Sequence, residues 1–355
     1  MLLIRPLAIA GLLVLMGGCN SVGYYWQSVS GQLDMWGRER PVPEVIGDPD
    51  TDATLRRKLA RVEKIRDFAS DELKLPDNAS YRRYADLERP FAVWNVFAAP
   101  EFSVSPIQWC FLVVGCVAYR GYFDRAAAER FSAGVAAQGH DVYVGGVPAY
   151  STLGYFADPL LNTFMQFPDV EIARLLFHEL AHQVAYAPDD TVFNESFATA
   201  VEAEGMKRWL TRTGNQAARA DFERRQYARD EFKRIVERSR QRLDALYRSG
   251  VAPDAMRIRK AAILEQMDQE YRVFRDSSGF AGYDHWFAQR PNNAQIASVV
   301  IYTQLVPAFQ SLLEREGGDL GRFYARVKML ASLPKDQRAD ALRTALPQTQ
   351  AEALR

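Results

Sequence analysis

Apolar residues recur three and four apart over most of this chain, and only a few short apolar runs break that rhythm. Residues 23 to 36, from Gly23-Tyr24-Tyr25-Trp26 to Trp36, predict an aromatic amphipathic helix that packs on the domain or on a lipid surface. Residues 52 to 75 predict a charged helix stopped by Leu75-Pro76-Asp77-Asn78. Between them, residues 37 to 50 hold three prolines, several charges and two glycines, and read as the clearest loop. Val93 to Phe97, Phe111 to Val114 and Asp141 to Val144 read as strands. Ile172, Leu175, Leu176, Leu180 and Val184 mark a helix opened by Asp169 as N-cap and closed over Ala185 to Pro188. Asp190 or Thr191 opens another, with Val192, Phe193, Ala200, Val201 and Trp209 on its apolar positions. Residues 215 to 275 predict two long helices broken near Gly250-Val251-Ala252-Pro253, their charge forming a solvated face.

Composition narrows the function classes. Forty-four basic and forty-four acidic residues cancel, which removes any electrostatic case for nucleic-acid binding. Hydrophobic residues make up 48%, ample for a packed core. The start has one basic residue, Arg5, an apolar run from Leu7 to Met16, and then Gly17-Gly18-Cys19. That is the outline of a secretory signal, and Cys19 resembles the modified residue of a bacterial lipobox. Cleavage before Cys19 leaves a lipid-anchored chain, and Asn20 in place of Asp points to the outer membrane. The organisation read from this is a signal peptide over 1–18, an anchored segment over 19–50 and one domain over 51–355. Cys110 and Cys116, with five residues between them in an exported chain, read as a small-loop disulfide.

The chemistry is concentrated in Leu176-Phe177-His178-Glu179-Leu180-Ala181-His182-Gln183. Histidines four apart on a helix share a face, so His178 and His182 can bind one Zn²⁺ per chain. Glu179 beside them can take a proton from a metal-activated water. Only four histidines occur in 355 residues, so the pairing is not a by-product of histidine abundance. A catalytic zinc needs a third protein ligand. Asn194-Glu195-Ser196-Phe197-Ala198 resembles the Asn-Glu-x-x-Ala signature of gluzincins, in which Glu195 is that ligand. Position 185 is Ala and 188 is Pro, so the glycine and third histidine of metzincins are absent. Only 12 residues separate His182 from Glu195, which demands a tight link between the two helices. Glu202 is the rival ligand, read otherwise as a solvated carboxylate or a hydrogen-bond partner of a ligating histidine.

Upstream, the gluzincin resemblance implies that His140 to Tyr155 carries an edge strand pairing with extended substrate, with Gly145-Gly146 permitting close backbone approach. The same residues read equally as a hairpin with core tyrosines. Tyr150 or Tyr155 can donate to a developing oxyanion. Gly145 to Tyr150 holds no acid for a substrate amine, which leaves Asp158 or Glu202. His285 can polarise a carbonyl or serve as a cap, and Asn292 and Asn293 read as caps of an apolar helix running through Tyr302 and Leu305.

The lipobox-like start, Cys110 and Cys116, Arg120-Gly121-Tyr122-Phe123, Ala149 to Gly154, the zinc motif, Asn194 to Ala198 and Asn292-Asn293-Ala294 together resemble a bacterial lipoprotein family described as putative aminopeptidases. The resemblance implies a helix-rich α+β zincin-like fold whose small sheet offers an edge strand to the cleft. It also implies a zinc peptidase acting on peptides in the cell envelope, tied to the membrane by its anchor. The other class consistent with the motif is a non-catalytic zinc-binding envelope lipoprotein acting in partner binding or assembly. Glu179 weighs against that class, because a structural zinc site has no use for the acid.

Overall fold

The computed structural model describes residues 23–111, 115–149, 151–300 and 305–343. The signal segment, Cys19 and Tyr150 lie outside the described residues. Helix α1 spans 23–38. It leads into strand β1 (Arg40–Pro41) and helix α2 (Val42–Gly47), with Val42 and Val45 buried. This corrects the loop expected over 37–50. A helix tolerates proline in its first turn, where the missing N–H has no partner to lose, so Pro43 opens a helix instead of breaking one.

Helix α3 (Ala53–Asp71) follows, capped by Asp52, whose side chain accepts from Thr54 and Leu55 N–H. Strands β2 (Arg83–Ala85), β3 (Val93–Pro100), β4 (Trp109–Phe111), β5 (Gly115–Val117) and β6 (Arg120–Tyr122) come next. Of the strand expected at Phe111–Val114, Phe111 closes β4 and residues 112–114 lie outside the described residues. Strand β4 pairs with β5, with Cys110 opposite Cys116 and bonded to it. Helix α4 (Arg125–Ala136), strand β7 (His140–Val147), strand β8 (Leu160–Leu161) and helix α5 (Asn162–Met165) lead to helix α6 (Asp169–His182) and helix α7 (Thr191–Thr213). The two long helices are α8 (Gln216–Tyr247) and α9 (Pro253–Ser278), separated at Gly250 as expected. Short helices α10 (Asp284–Ala288), α11 (Asn293–Val300), α12 (Val306–Arg315), α13 (Leu320–Ala331) and α14 (Lys335–Arg343) complete the described chain. No described helix is long and apolar enough to cross a membrane.

The result is a helix-rich α+β fold in which the described strands form three small sheets, ordered β1-β2-β8, β6-β3-β7 and β4-β5. One apolar cluster, from Met35 and Val42 through Leu176 and Phe197 to Phe323, joins both ends of the described chain to α6 and α7. A second, built on Phe232, Tyr271 and Phe287, fills the space between α8, α9 and α10. Strand β7 pairs on one side with β3 from Val93↔Val147 to Pro100↔His140 and, among the described residues, is an edge strand. Its Gly146 is required by packing within the protein, because a Cβ there would lie 2.3 Å from the Phe91 ring. The close approach expected at that glycine is therefore made by Phe91.

Candidate metal centre

Helix α6 buries Ile172, Ala173, Leu176, Phe177 and Leu180 in the main core, which turns His178 and His182 toward α7. Its N-cap is Pro168 and not Asp169. Asp169 lies in the first turn, where its carboxylate pairs with Lys58 at 2.8 Å and Arg61 at 2.6 Å on α3. Two cations on a neighbouring helix hold it more strongly than one backbone N–H would. After His182 the chain must turn back within eight residues, and buried Asn194 closes that link. Its amide accepts from Ala187 N at 2.7 Å and donates to Ala187 O at 2.8 Å. Asp190 caps α7 by accepting from Phe193 N at 3.1 Å. Helix α7 then runs past α6 closely enough that a Cβ at Gly205 would lie 2.7 Å from the ring of Phe177.

This crossing brings His178, His182 and Glu195 together, with one donor atom from each within 4.8 Å of the others. His178 Nε2 stands 3.3 Å from His182 Nε2 and 3.3 Å from Glu195 Oε2. Glu195 Oε2 lies 3.8 Å from His182 Nε2. Donor atoms about 2.0–2.1 Å from one ion at tetrahedral angles are about 3.3–3.4 Å apart, so two of the three separations match a shared small cation and the third is slightly wider. Two imidazole lone pairs aimed at each other and at a carboxylate oxygen repel unless a cation or proton lies among them. His182 Nδ1 is buried with no hydrogen-bond partner among the described residues. With Nε2 among the donor atoms, Nδ1 is the nitrogen left to carry the proton of the neutral ring.

Glu202 lies two turns along α7 from Glu195 and does not join the donor set. It is buried, and its Oε2 lies 3.1 Å from His178 Nδ1. Arg174 donates to Glu202 at 3.0 Å and to Glu171 at 3.0 Å, and Arg229 of α8 donates to Glu171 at 2.8 Å. Of the roles weighed for Glu202, which were rival ligand, solvated carboxylate, hydrogen-bond partner of a histidine and acid for a substrate amine, the geometry matches the histidine partner. A carboxylate on Nδ1 fixes the tautomer that leaves the Nε2 lone pair free for a metal. Glu202→Gln is expected to weaken metal binding roughly 10–100-fold while preserving the fold. Competition against a chromophoric chelator measures this, and an unchanged affinity would reduce Glu202 to a packing residue.

The charges reinforce the geometry. Burial alone would lower the His178 pKa, but hydrogen bonds and charge from Glu195 and Glu202, with Glu179 adding, carry it up to about 10. A field that holds a proton so firmly also attracts a divalent cation. Burial drives His182 down to about 4, which keeps it neutral and able to ligate. Burial raises Glu202, but Arg174 and His178 outweigh it and bring it to about 2. Glu195 falls below the usual carboxylate range, because His182 and His178 together outweigh its burial. Glu179 goes the other way. Burial pushes it up, His178 opposes, and Glu195, Asp158 and Glu202 add to the rise, to about 7. None of the hydrogen bonds described engages Glu179, so among the acids of this cluster it is the one poised to exchange a proton.

Two residues absent from the sequence reading stand close by. Arg66 of α3 is fully buried and donates to the carbonyls of Pro76, Asn78 and Ser80 at 2.8, 3.1 and 2.8 Å. That clamp fixes the turn placing Tyr81, whose φ of 62° is left-handed. Among the described residues the buried Tyr81 hydroxyl has no hydrogen-bond partner, and its ionisation is opposed first by burial and then by the charges of Glu179 and Asp158. Neither residue belongs to a motif, so no local signal marks them.

The remaining expected residues fall elsewhere. Asp158 is only 3% exposed, with its carboxylate taken up by Thr152 N–H at 3.1 Å and Ser151 Oγ at 3.4 Å. Tyr155 is exposed on the loop after Gly154, and that glycine lies against the Gln183 side chain at the end of α6. His285 is exposed on α10 with its Nε2 3.1 Å from the Gln289 amide, and no described hydrogen bond joins it to the metal-type cluster. Asn292 accepts from Gln295 N at 3.0 Å, as a cap does, and also donates to Val142 O of β7 at 2.8 Å. Asn293 anchors the same corner by donating to Pro100 O and Glu101 O. The helix they open, α11, is described over Asn293–Val300; Tyr302 lies outside the described residues, and Leu305 precedes α12.

The model of a family described as "Putative aminopeptidase" matches residues 23–342. No curated protein and no solved structure matches the chain. The matched span holds α6, α7 and every residue of the three-donor cluster, and on that match the chain belongs to the putative aminopeptidase family.

Proposed function

We propose that this chain is a zinc-dependent aminopeptidase of the gluzincin type, held by a lipid anchor in the bacterial cell envelope. The observation that carries the reading is the convergence of His178 Nε2, His182 Nε2 and Glu195 Oε2, with Glu179 next to His178 in the chain and engaged by none of the described hydrogen bonds. Two imidazoles and one carboxylate suit zinc and leave its fourth position for water or substrate. When bound, zinc supplies a Lewis acid that polarises the scissile carbonyl and acidifies a water.

The protein's own groups do the rest. His178, His182 and Glu195 hold the ion, and Glu202, backed by Arg174, holds His178 in its ligating tautomer. Glu179 takes the proton of the attacking water on its carboxylate and passes it to the departing amine. The side chains of His178 and Glu195 are 17% and 15% exposed, so the cluster opens to a substrate. The sequence from Met1 to Asn20 and the disulfide at Cys110–Cys116 support export to an oxidising compartment, with Cys19 as the acylated residue.

Purified protein is expected to hold about one zinc per chain. A strong chelator should stop cleavage of a mixed peptide pool, added zinc should restore it, and products should be shortened from their free N-termini. Cleavage that survives complete metal removal sinks the zinc assignment. Equal cleavage of N-acetylated peptides sinks the aminopeptidase assignment and leaves an endopeptidase.

A further inference from the structure

Helix α1 is apolar on the side where a surface helix normally shows polar groups. Its inner side is already settled. Tyr24 stacks on Phe111 at 5.6 Å, Gln27 accepts from Phe123 N at 3.0 Å, and Met35 is buried in the main core. At Gly31 the helix sits so close that a Cβ would meet Phe123 at 2.2 Å. A rotation of about 100° per residue places Tyr25, Trp26, Val29, Leu33 and Trp36 together on a separate arc, itself about 100° wide. The first four of these are exposed, Trp26 by 72%.

The stripe continues beyond the helix. Trp36 meets Phe156 edge-on at 4.9 Å, and Phe156 and Tyr155 are both exposed. Six of the ten exposed large hydrophobic residues described therefore lie on α1 and this one loop, and so are clustered where scattered ones would need no explanation. The same loop borders the metal helix through the contact of Gly154 with Gln183.

We propose that this face, the outer stripe of α1 with Tyr155 and Phe156, lies in the headgroup region of the bilayer that holds the anchor. The metal site then works at the membrane surface, on polypeptide ends presented there. The inference rests on the reading of Cys19 as acylated. An acylated cysteine sits at the bilayer surface, and the four residue steps from Cys19 to Gly23 span at most about 14 Å. So short a tether keeps the first turn of α1 at or next to the interface. Tryptophan and tyrosine favour that layer, where the ring is apolar and its polar tip stays wet. The stripe itself carries no basic residue, and Asp34 beside it pairs with Arg38 at 2.9 Å, so neutral headgroups suffice.

The test uses the full lipidated chain in phosphatidylcholine vesicles, spin-labelled in turn through Val29→Cys, Leu33→Cys, Tyr155→Cys and, on the exposed face of α9, Ile258→Cys. Labels at 29, 33 and 155 are expected to lose access to an aqueous nickel chelate and gain collisions with oxygen relative to 258. Labels at 29 and 33 as open to nickel as 258, on protein whose mass shows the acyl chains, overturn the proposal while the anchor stands. Dipolar broadening between labels at 29 or 33 on different molecules also overturns it, because a second copy then covers the face. A mass without acyl chains, with protein that stays in the supernatant, refutes the anchor reading and the proposal with it.

Discussion

Glu179→Gln is expected to lower peptide hydrolysis by roughly 10²–10⁴-fold at unchanged metal content, the range for loss of a positioned acid–base group. Glutamine keeps the shape of the side chain and removes only its capacity to take and return a proton. The donor set of His178, His182 and Glu195 does not include this residue, so occupancy should not move. The pH profile supplies a second readout. The base must be ionised to act, so wild-type kcat/KM falls as pH drops through the Glu179 pKa. Burial with its acidic neighbours places that pKa at about 7 before any cation is added. A divalent cation nearby favours the charged carboxylate, so the acid limb of the loaded enzyme lies below that value. The residual activity of Glu179→Gln should lack that limb. Equal rates in wild type and variant at matched zinc content would remove Glu179 from the mechanism.

Arg338→Ala is expected to destabilise the protein by about 3–5 kcal/mol, the range for removing one partner of a buried ion pair. Arg338 on α14 donates to Asp190 at 2.6 Å, with side chains only 5% and 9% exposed. Its remaining N–H groups satisfy the carbonyls of Leu330, Ala331 and Leu333. Removal leaves the Asp190 carboxylate buried without its cation, and Asp190 is the N-cap of the helix that carries Glu195. Urea unfolding at fixed pH and fixed metal content measures the loss. The double variant with Asp190→Ala should cost much less than the sum of the two singles, since each removes the same interaction. A loss below about 1 kcal/mol, the value of an exposed pair, would show that water reaches the site in solution.

Much of the candidate centre was legible in the sequence because it depends on local spacing. His178 and His182 share a helix face by periodicity alone, and the apolar residues around them fix which face is buried. Glu195 was legible through its short motif, Asp190 as a capping residue, and Cys110 with Cys116 as a pair. The two long helices and their break at Gly250 followed from the same three-and-four rhythm. The misreadings came where one residue type serves two purposes. Pro41 and Pro43 looked like loop formers and instead lead into and open α2, and Asp169 looked like a cap and instead pairs with α3.

The sequence by itself determined the helical segments, the face on which the two histidines lie and the residue types able to hold a metal and move a proton. Only the tertiary structure decided that Glu202 backs His178 from 24 residues away, that Arg66 sets Tyr81 beside Glu179, and that α1 keeps an apolar stripe in the open. The physical reason is the range of the forces involved. Positions within one helix follow from backbone hydrogen bonds between near neighbours. The crossing of α6 and α7 follows instead from how side chains such as Phe177 fit against Gly205, a match between distant segments that no local window contains.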